Sequence, residues 1–278
     1  MHTGDRAQLA PRLVGLSLIA PAHNEAPNIP ELVRRAGQAL AATGLSYELV
    51  IVDDGSTDGT RAAVTALLPD RPWLRCLAMT RTPRGRGGGQ SAAFFAGIRA
   101  SRGDLIATID ADLQNDPADL ADLLRVLRQR DADMVQGDRS HARRDNAVRR
   151  VGSIVGRLFR RLLLRDVVRD TGCSLRLMRR EVALALPLQF KGMHRFIPIT
   201  AASLGYQVDQ VPVGHAPRTA GVSKYGLGIT QRALPGLIDC LAVRWMINRR
   251  RPVDSAEIVL PADAPAGTEV LRPTGAPA

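Results

Sequence analysis

Cysteine is scarce in this 278-residue chain, where Cys76, Cys173 and Cys240 stand far apart and form no C-x-x-C pair. That spacing excludes a disulfide scaffold and argues against a thiolate zinc site, so the three read as buried thiols of a reducing compartment. Lysine is scarcer still: only Lys191 and Lys224 occur, and 36 of the 38 cationic residues are arginine. Against 27 acidic residues this leaves a formal charge of +11. Aromatic residues make up only 4% of the chain, too few to interleave with basic patches as a nucleic-acid surface requires, so no nucleic-acid partner is expected. Long apolar runs are missing as well. The nearest candidate, residues 233–247, is cut by Asp239 and Arg244, short of a spanning helix. Residues 1–12 carry no apolar core of a signal peptide, and a soluble chain with at most peripheral membrane attachment is expected. What is present is 45% hydrophobic and 23% charged residues, a globular balance with ample core for an α/β domain.

Apolar runs alternate with helix-period stretches through the first half. Val14–Ala20, Tyr47–Val52, Leu74–Met79, Leu105–Ile109 and Met134–Gln136 read as strands. Between them Ile29–Ala42, Thr57–Leu68, Gln90–Ala100 and Pro117–Arg130 read as helices, the last opened by an Asp116 cap and proline at its first position. The alternation predicts a mostly parallel central sheet with helices on both faces, and ligands bound beyond the carboxyl ends of its strands. Further on, Ser174–Met178 and Gln207–Val213 read as strands and Phe196–Leu204 as a helix. Two basic amphipathic helices are expected, over Ala147–Arg165 and from about Leu227 to Asn248. Each suits either an anionic membrane interface or a core-packed helix with a solvated basic face, and Trp245 with Arg244 and Arg249–Arg251 fits the same choice. The expected organisation is a flexible tail over 1–12, a catalytic domain over 13–226, a C-terminal basic helix over 227–252 and a disordered tail over 253–278.

Three carboxylate-bearing segments follow three of these strands: Pro21-Ala-His-Asn-Glu25, Val52-Asp-Asp-Gly-Ser-Thr-Asp-Gly-Thr60 and Asp110-Ala-Asp-Leu-Gln114. Parallel strands would bring Glu25, Asp53, Asp54, Asp110 and Asp112 to one edge, where clustered carboxylates repel and call for compensating cations or donors. Asp58 and Asp116 read as caps of the following helices. If strand alternation continues through Asp110-x-Asp112, both carboxylates point one way, with Gln114 two further along. That is a hard oxygen set suited to Mg²⁺ or Mn²⁺.

Competing motifs fail. Asp54–Gly59 opens like an EF-hand loop, yet Thr65 stands where its closing Glu belongs. The cluster Gly85, Gly87, Gly88, Gly89 breaks the G-x-G-x-x-G pattern, no P-loop occurs, and His23-Asn-Glu25 lacks a zincin's second His. The glycine run before Gln90 and Ser91 reads equally as a flexible loop or as helix N-terminal amides offered to an anion.

Taken together, these segments resemble the glycosyltransferase family 2 group with its GT-A nucleotide-sugar-binding fold, and within it the polyprenyl-phosphate, dolichyl-phosphate mannose synthase-like transferases. The resemblance runs from about Leu16 to Trp245. Its subfamily part rests on Val135-Gln-Gly-Asp-Arg139, Asp170-Thr-Gly-Cys-Ser-Leu-Arg176, His194-Arg-Phe-Ile-Pro198 and Pro217–Lys224. The resemblance implies that Pro21, His23 and Glu25 line a nucleoside pocket, that Val52 and Asp54 contact the base, and that Ala111 packs by the ribose. It further implies that Asp110, Asp112 and Gln114 hold the metal, Mg²⁺ or Mn²⁺, and that Arg139 faces the diphosphate and acceptor region. Arg218 and Lys224 would clamp donor phosphates. Thr80–Gly88, TRTPRGRGG, departs from the Arg-Asn-x run usual before the Gly-Gln pair, and many relatives continue into membrane-spanning helices after the equivalent of Trp245.

The expected reaction is inverting transfer of a sugar from a nucleotide-diphosphate donor, GDP-mannose or a UDP-hexose, to polyprenyl phosphate at the cytoplasmic, inner face of a membrane. Asp170 either orients Arg139 and Arg176 on the acceptor side or acts as a base; the orienting role suits two flanking arginines better. A family 2 transferase acting on a hydroxyl acceptor is the alternative.

Overall fold

The computed structural model describes residues 14–141, 159–164, 168–217, 229–251, 256–259 and 270–273. Strands β1 (Val14–Ala22), β2 (Tyr47–Asp53), β3 (Leu74–Ala78), β4 (Gly103–Thr108), β5 (Met134–Asp138), β6 (Arg176–Arg179) and β7 (Val208–Pro212) form one sheet in the order β3-β2-β1-β4-β6-β5-β7. β6 runs antiparallel to both β4 and β5, and every other pairing in the sheet is parallel. The helices are α1 (Ile29–Ala42), α2 (Thr60–Leu67), α3 (Gln90–Ala100), α4 (Leu120–Gln129), α5 (residues 159–164), α6 (Arg180–Ala185), α7 (Ile197–Ser203) and α8 (Ile229–Arg249).

β1 and β2 are nearly continuous apolar runs because both of their faces are covered. Side chains alternate across the pleat. Leu16, Leu18 and Ala20 of β1 and Leu49 and Ile51 of β2 join Leu32, Val33, Ala36 and Leu40 of α1 and Leu123, Leu124 and Leu127 of α4 in one core cluster. Ile19 and Val52 face the other way, against α3 at Gly97. Asp116 accepts the Ala118 N–H at 3.0 Å and so caps the short 3-10 turn that leads into α4.

Strand order reverses at β1, which has β2 on one side and β4 on the other. Connections leaving such a point diverge and open a crevice beyond the strand carboxyl ends. The ends of β1, β2, β4 and β5 lie there, together with the start of the antiparallel β6, whose Arg176 pairs with Thr108 and Gln136.

Two expectations are revised and a third is only partly visible. α2 begins at Thr60 rather than Thr57, because Asp58 takes the Thr60 and Ala26 N–H groups at 3.0 Å each and Gly59 adopts φ 91°. The stretch 253–278 is not wholly without order: Ala256–Val259 and Val270–Pro273 pair antiparallel as β8 and β9. Their apolar runs are too short to register as periodicity among Pro, Ala and acidic residues. Finally, of the basic helix expected over 147–165, only 159–164 falls within the described residues, and it is helical with Leu162 exposed and Leu164 buried. Chain contacts define two compact units, residues 1–244 and 245–278. Among the described residues no helix is long and apolar enough to cross a membrane.

Gly97 sets how closely α3 approaches the sheet: a Cβ there would overlap Ile19 Cγ2 and stand 3.0 Å from Val52 Cγ2. Gly97→Ala is expected to destabilise the protein by about 1–3 kcal/mol through overpacking, read as a lower urea midpoint with unchanged slope. An unchanged midpoint would contradict this seating of α3.

Candidate active site

β4 ends at Thr108, so Asp110 and Asp112 stand in the turn beyond it and strand alternation does not orient them. This corrects the geometric argument from period 2. Local hydrogen bonding takes its place. The Ile109 N–H extends the pairing onto Ile19 C=O at 3.0 Å, and the Asp110 N–H donates to Ser174 Oγ at 3.0 Å. Asp112 Oδ1 accepts the Gln114 N–H at 3.2 Å while Leu113 takes φ 61°. A left-handed Leu costs about 1–2 kcal/mol, which burial of its side chain in the core offsets. The two carboxylates remain electrostatically coupled: burial first, and then the charge of Asp112, push Asp110 up to about 6. Gln90 Nε2, at the start of α3, donates a short hydrogen bond to Asp110 Oδ1.

The parallel pairing of β1 with β2 and β4 brings the three segments to one edge of the sheet, but among the described residues no three His, Cys, Asp or Glu side chains gather as a metal-binding group. Each of the other acids meets nearer donors. Asp53 is fully buried and accepts Ser56 N–H at 3.0 Å and Arg61 Nε at 2.7 Å, facing α2. Glu25 accepts Asn28 Nδ2 at 2.7 Å in the turn that opens α1. The pair that remains, Asp110 with Asp112, fits a divalent cation by its chemistry. Burial and the charge of Asp112 raise the cost of ionising Asp110, and a cation completed by phosphate oxygens and water would relieve it.

The glycine run does offer its amides to an anion, and that anion is Asp54. Its carboxylate accepts Gly88 N–H at 2.7 Å, Gly89 N–H at 2.8 Å and Thr82 Oγ1 at 3.1 Å. A Cβ on Gly88 would lie 2.9 Å from Thr82 Oγ1 and 3.2 Å from Asp54, so a side chain there would force the turn open. His23 Nδ1 donates to Asp54 C=O at 2.6 Å, which ties the end of β1 to the end of β2. Pro21 and Val52 are register partners on those strands, and Ala111 is buried beside Asp110 in sequence.

On the far side of Asp110 stands a buried cationic group. Asp170 accepts Arg139 Nε at 2.8 Å, Arg139 Nη2 at 3.3 Å and Arg139 N–H at 3.2 Å, and its Oδ1 is held by Gly172 N–H at 3.1 Å. Arg176, only 2% exposed, donates from Nε to Gln136 Oε1 at 2.7 Å and from Nη2 to the carbonyls of Thr171 and His194 at 3.1 and 3.3 Å. Its Nη1 is buried with no hydrogen-bond partner. Burial lowers Arg176 to about 10 while the charges of Asp110 and Asp170 hold it up. Ser174, two residues before Arg176 in the chain, anchors this loop to the β4 side: its Oγ also donates to Asn115 Oδ1 at 3.3 Å and its carbonyl accepts Thr108 Oγ1 at 2.6 Å.

Gln90, Gln136 and Ser174 are site residues that motif reading passes over. Each lies inside or next to a motif, but amides and hydroxyls carry no sequence mark of a site. Arg218 and Lys224 lie outside the described residues.

Residues 17–186 match Glycosyl transferase family 2. The chain is 34% identical over 242 residues to the dodecaprenyl-phosphate galacturonate synthase of Rhizobium johnstonii, covering 85% of this chain and 69% of that protein. It is 35% identical over 229 residues to the undecaprenyl-phosphate 4-deoxy-4-formamido-L-arabinose transferase of Sodalis glossinidius, covering 81% and 67%. Among solved structures, glucosyl-3-phosphoglycerate synthase from Mycobacterium tuberculosis, in complex with Mn²⁺, UDP-glucose and phosphoglyceric acid, aligns with a TM-score of 0.62 at 19% identity, over 88% of this chain and 84% of that one. A mannosyltransferase from Pyrobaculum calidifontis in complex with GDP-mannose and Mn²⁺ aligns with a TM-score of 0.52 at 22% identity, over 74% and 58%. At these identities the solved structures establish likeness of fold, of GT-A type. With more than half its length matching the family and curated relatives above 30% identity, the chain belongs to glycosyl transferase family 2 and is a glycosyltransferase.

Proposed function

We propose that this glycosyltransferase moves a sugar from a nucleoside diphosphate donor to a polyprenyl phosphate, with inversion, at the cytoplasmic face of a membrane. One observation carries the reading: a coupled carboxylate pair, Asp110 and Asp112, adjoins a buried arginine group, Arg139 and Arg176, across Ser174. The reaction brings together two phosphates of different kinds, a leaving diphosphate and an attacking monoester, and this site has separate means for each. The relatives named for polyprenyl-phosphate acceptors support the choice of acceptor.

Asp110, Asp112 and Gln114 would hold Mg²⁺ or Mn²⁺, which when bound supplies Lewis-acid stabilisation of the leaving diphosphate. The neighbouring solved structures contain Mn²⁺ with nucleotide sugars, which supports a divalent ion here. Pro21, His23, Glu25, Val52, Asp54 and Ala111 would form the nucleoside pocket, with base donors competing against the glycine amides for Asp54. Arg139, fixed by Asp170, and Arg176, with its Nη1 free, would hold the acceptor phosphate. Arg218 and Lys224 would close on the donor phosphates. An acceptor phosphate oxygen attacks the anomeric carbon from the face opposite the diphosphate. The anomeric C–O bond breaks, and its electron pair leaves with the nucleoside diphosphate. The attacking group is already anionic at neutral pH, so no general base is required. Peripheral attachment is supported by α8, which exposes Leu237, Ile238 and Leu241 beside Arg244.

Incubation with labelled sugar nucleotides is expected to carry label into chloroform-extractable lipid, and Asp112→Asn to reduce that transfer at least a hundredfold, as for loss of a principal transition-state stabiliser. Label found only in a water-soluble product would assign a hydroxyl acceptor instead.

Asp110 must ionise to bind a cation, and its proton is held up to about 6. Mn²⁺-assisted nucleotide affinity should therefore rise as pH increases through about 6 and level off above 7. In the ligand-free protein the sign reverses. A carboxylate raised on folding contributes stability below its unfolded value of about 3.9, and that contribution is lost as pH climbs through its folded value. Calorimetric titration between pH 5 and 8 and chelator-treated melting curves read the two effects, and a flat affinity profile would remove Asp110 from the ligand set.

A further inference from the structure

Ser91 and His194 lie 103 residues apart and are joined twice. The His194 N–H donates to Ser91 Oγ at 3.0 Å, and the same oxygen lies 2.8 Å from His194 Nδ1. Ser91 Oγ accepts the backbone N–H and keeps both its own hydrogen and a second lone pair, so it can pair with Nδ1 in either neutral tautomer of the ring. Burial, then the charges of Arg195 and Arg176, hold the ring down to about 3, so it is neutral throughout the working range and this arrangement does not titrate.

Both partners stand one step from the site. Ser91 follows Gln90, whose side chain grips Asp110, in the first turn of α3. The carbonyl of His194 accepts one edge of the Arg176 guanidinium, whose other contacts are Gln136 and Thr171. The turn bearing His194 is itself confined. Gly192 adopts φ 86°, a Cβ on it would stand 2.6 Å from Asp239 of α8, and Arg195 reaches that same carboxylate at 4.0 Å.

We propose that His194, acting through Ser91, is a positioning residue for the transferase site: it fixes the first turn of α3 so that Gln90 reaches Asp110, and its carbonyl seats Arg176. The pair touches no reacting atom in this account. It rests on the proposed function, whose donor and acceptor groups it aligns.

The test compares Ser91→Ala, His194→Ala, the double variant and His194→Asn, whose side-chain amide, able to donate or accept, can take the place of Nδ1 as partner of Ser91. Calorimetry with UDP and GDP in the presence of Mn²⁺, kcat and KM for lipid transfer, and melting temperature are read for each. Ser91→Ala and His194→Ala are each expected to weaken nucleotide binding or lower kcat about ten- to a hundredfold, as outer-shell partners do, with melting shifts of only a few degrees. The double variant should lose no more than the worse single one, because the pair acts as a unit. His194→Asn should recover most of the loss. Multiplicative losses in the double variant, or His194→Asn behaving like His194→Ala, would overturn the inference. Wild-type protein that binds neither nucleotide would remove the proposed function and the inference with it, whereas wild-type binding with unaltered variants removes the inference alone. Binding without lipid transfer would change the acceptor and leave the pair to be judged on nucleotide affinity.

Discussion

Two carboxylates held near each other at the end of β4 repel, and the surrounding structure is organised around that repulsion. Asp110 cannot escape it, because its backbone N–H is tied to Ser174 and its side chain to Gln90. Asp112 cannot, because Leu113 is locked in a left-handed conformation by its own burial. The nearby guanidinium groups of Arg176 and Arg139 lower the cost of ionising Asp110 without cancelling it. What remains is an electrostatic deficit that a divalent cation with a phosphate ligand can satisfy. Preorganised charge of this kind does its stabilising without rearrangement at the moment of reaction.

The antiparallel β6 explains how the cationic side reaches the same place. In a wholly parallel sheet the segment after each strand comes to the site, while the segment before it lies at the opposite edge. Reversal of β6 places its preceding loop, Asp170–Leu175, at the carboxyl ends of β4 and β5. Asp170 can then reach Arg139 just beyond β5, and Ser174 can reach the turn after β4. One inverted strand thus adds a further loop to those that meet in the crevice.

Periodicity located the seven strands of the main sheet because the apolar runs of β1, β2 and β4 are long enough to be unmistakable, and because helices such as α1 and α4 bury one face at regular spacing. It could not give strand direction, which depends on where connections return, so β6 read as one more strand of a mostly parallel sheet. For the site, the motifs marked the loops that follow β1, β2 and β4, and with them Asp110 and Asp112, which the structure couples electrostatically. The gathering of Glu25, Asp53 and Asp54 with them failed for a local reason. Adjacent residues point to opposite sides, Asn28 and Arg61 lie close in sequence to Glu25 and Asp53, and the turn after β3 folds its glycine amides directly onto Asp54. Short-range donors capture carboxylates before long-range geometry can assemble them. Gln90, Gln136 and Ser174 escaped because a neutral hydrogen-bonding side chain acquires a role only from the partners that folding brings to it.

The two halves of the crevice differ in what ligand binding would require of them. Arg139, Asp170 and Arg176 are fixed by buried bonds, and Arg176 Nη1 is buried with its donors unused, so a phosphate would reach it only through a local opening. Filling it with a phosphate oxygen adds hydrogen bonds to a group already desolvated, the case in which a charge-assisted bond is worth most. Asp54 is in the opposite position, since its three acceptor contacts to Thr82, Gly88 and Gly89 are satisfied. A base that reads this carboxylate has one acceptor position left to it, on Oδ2, and beyond that exchanges bonds instead of adding them, so its net gain is small. Under the proposed function, discrimination among nucleotides would then depend on the exchange at Asp54, while the phosphates would supply most of the binding free energy. A site divided in this way lets a strongly held common group, the phosphate, carry affinity, and leaves selection to a contact whose balance is close to even.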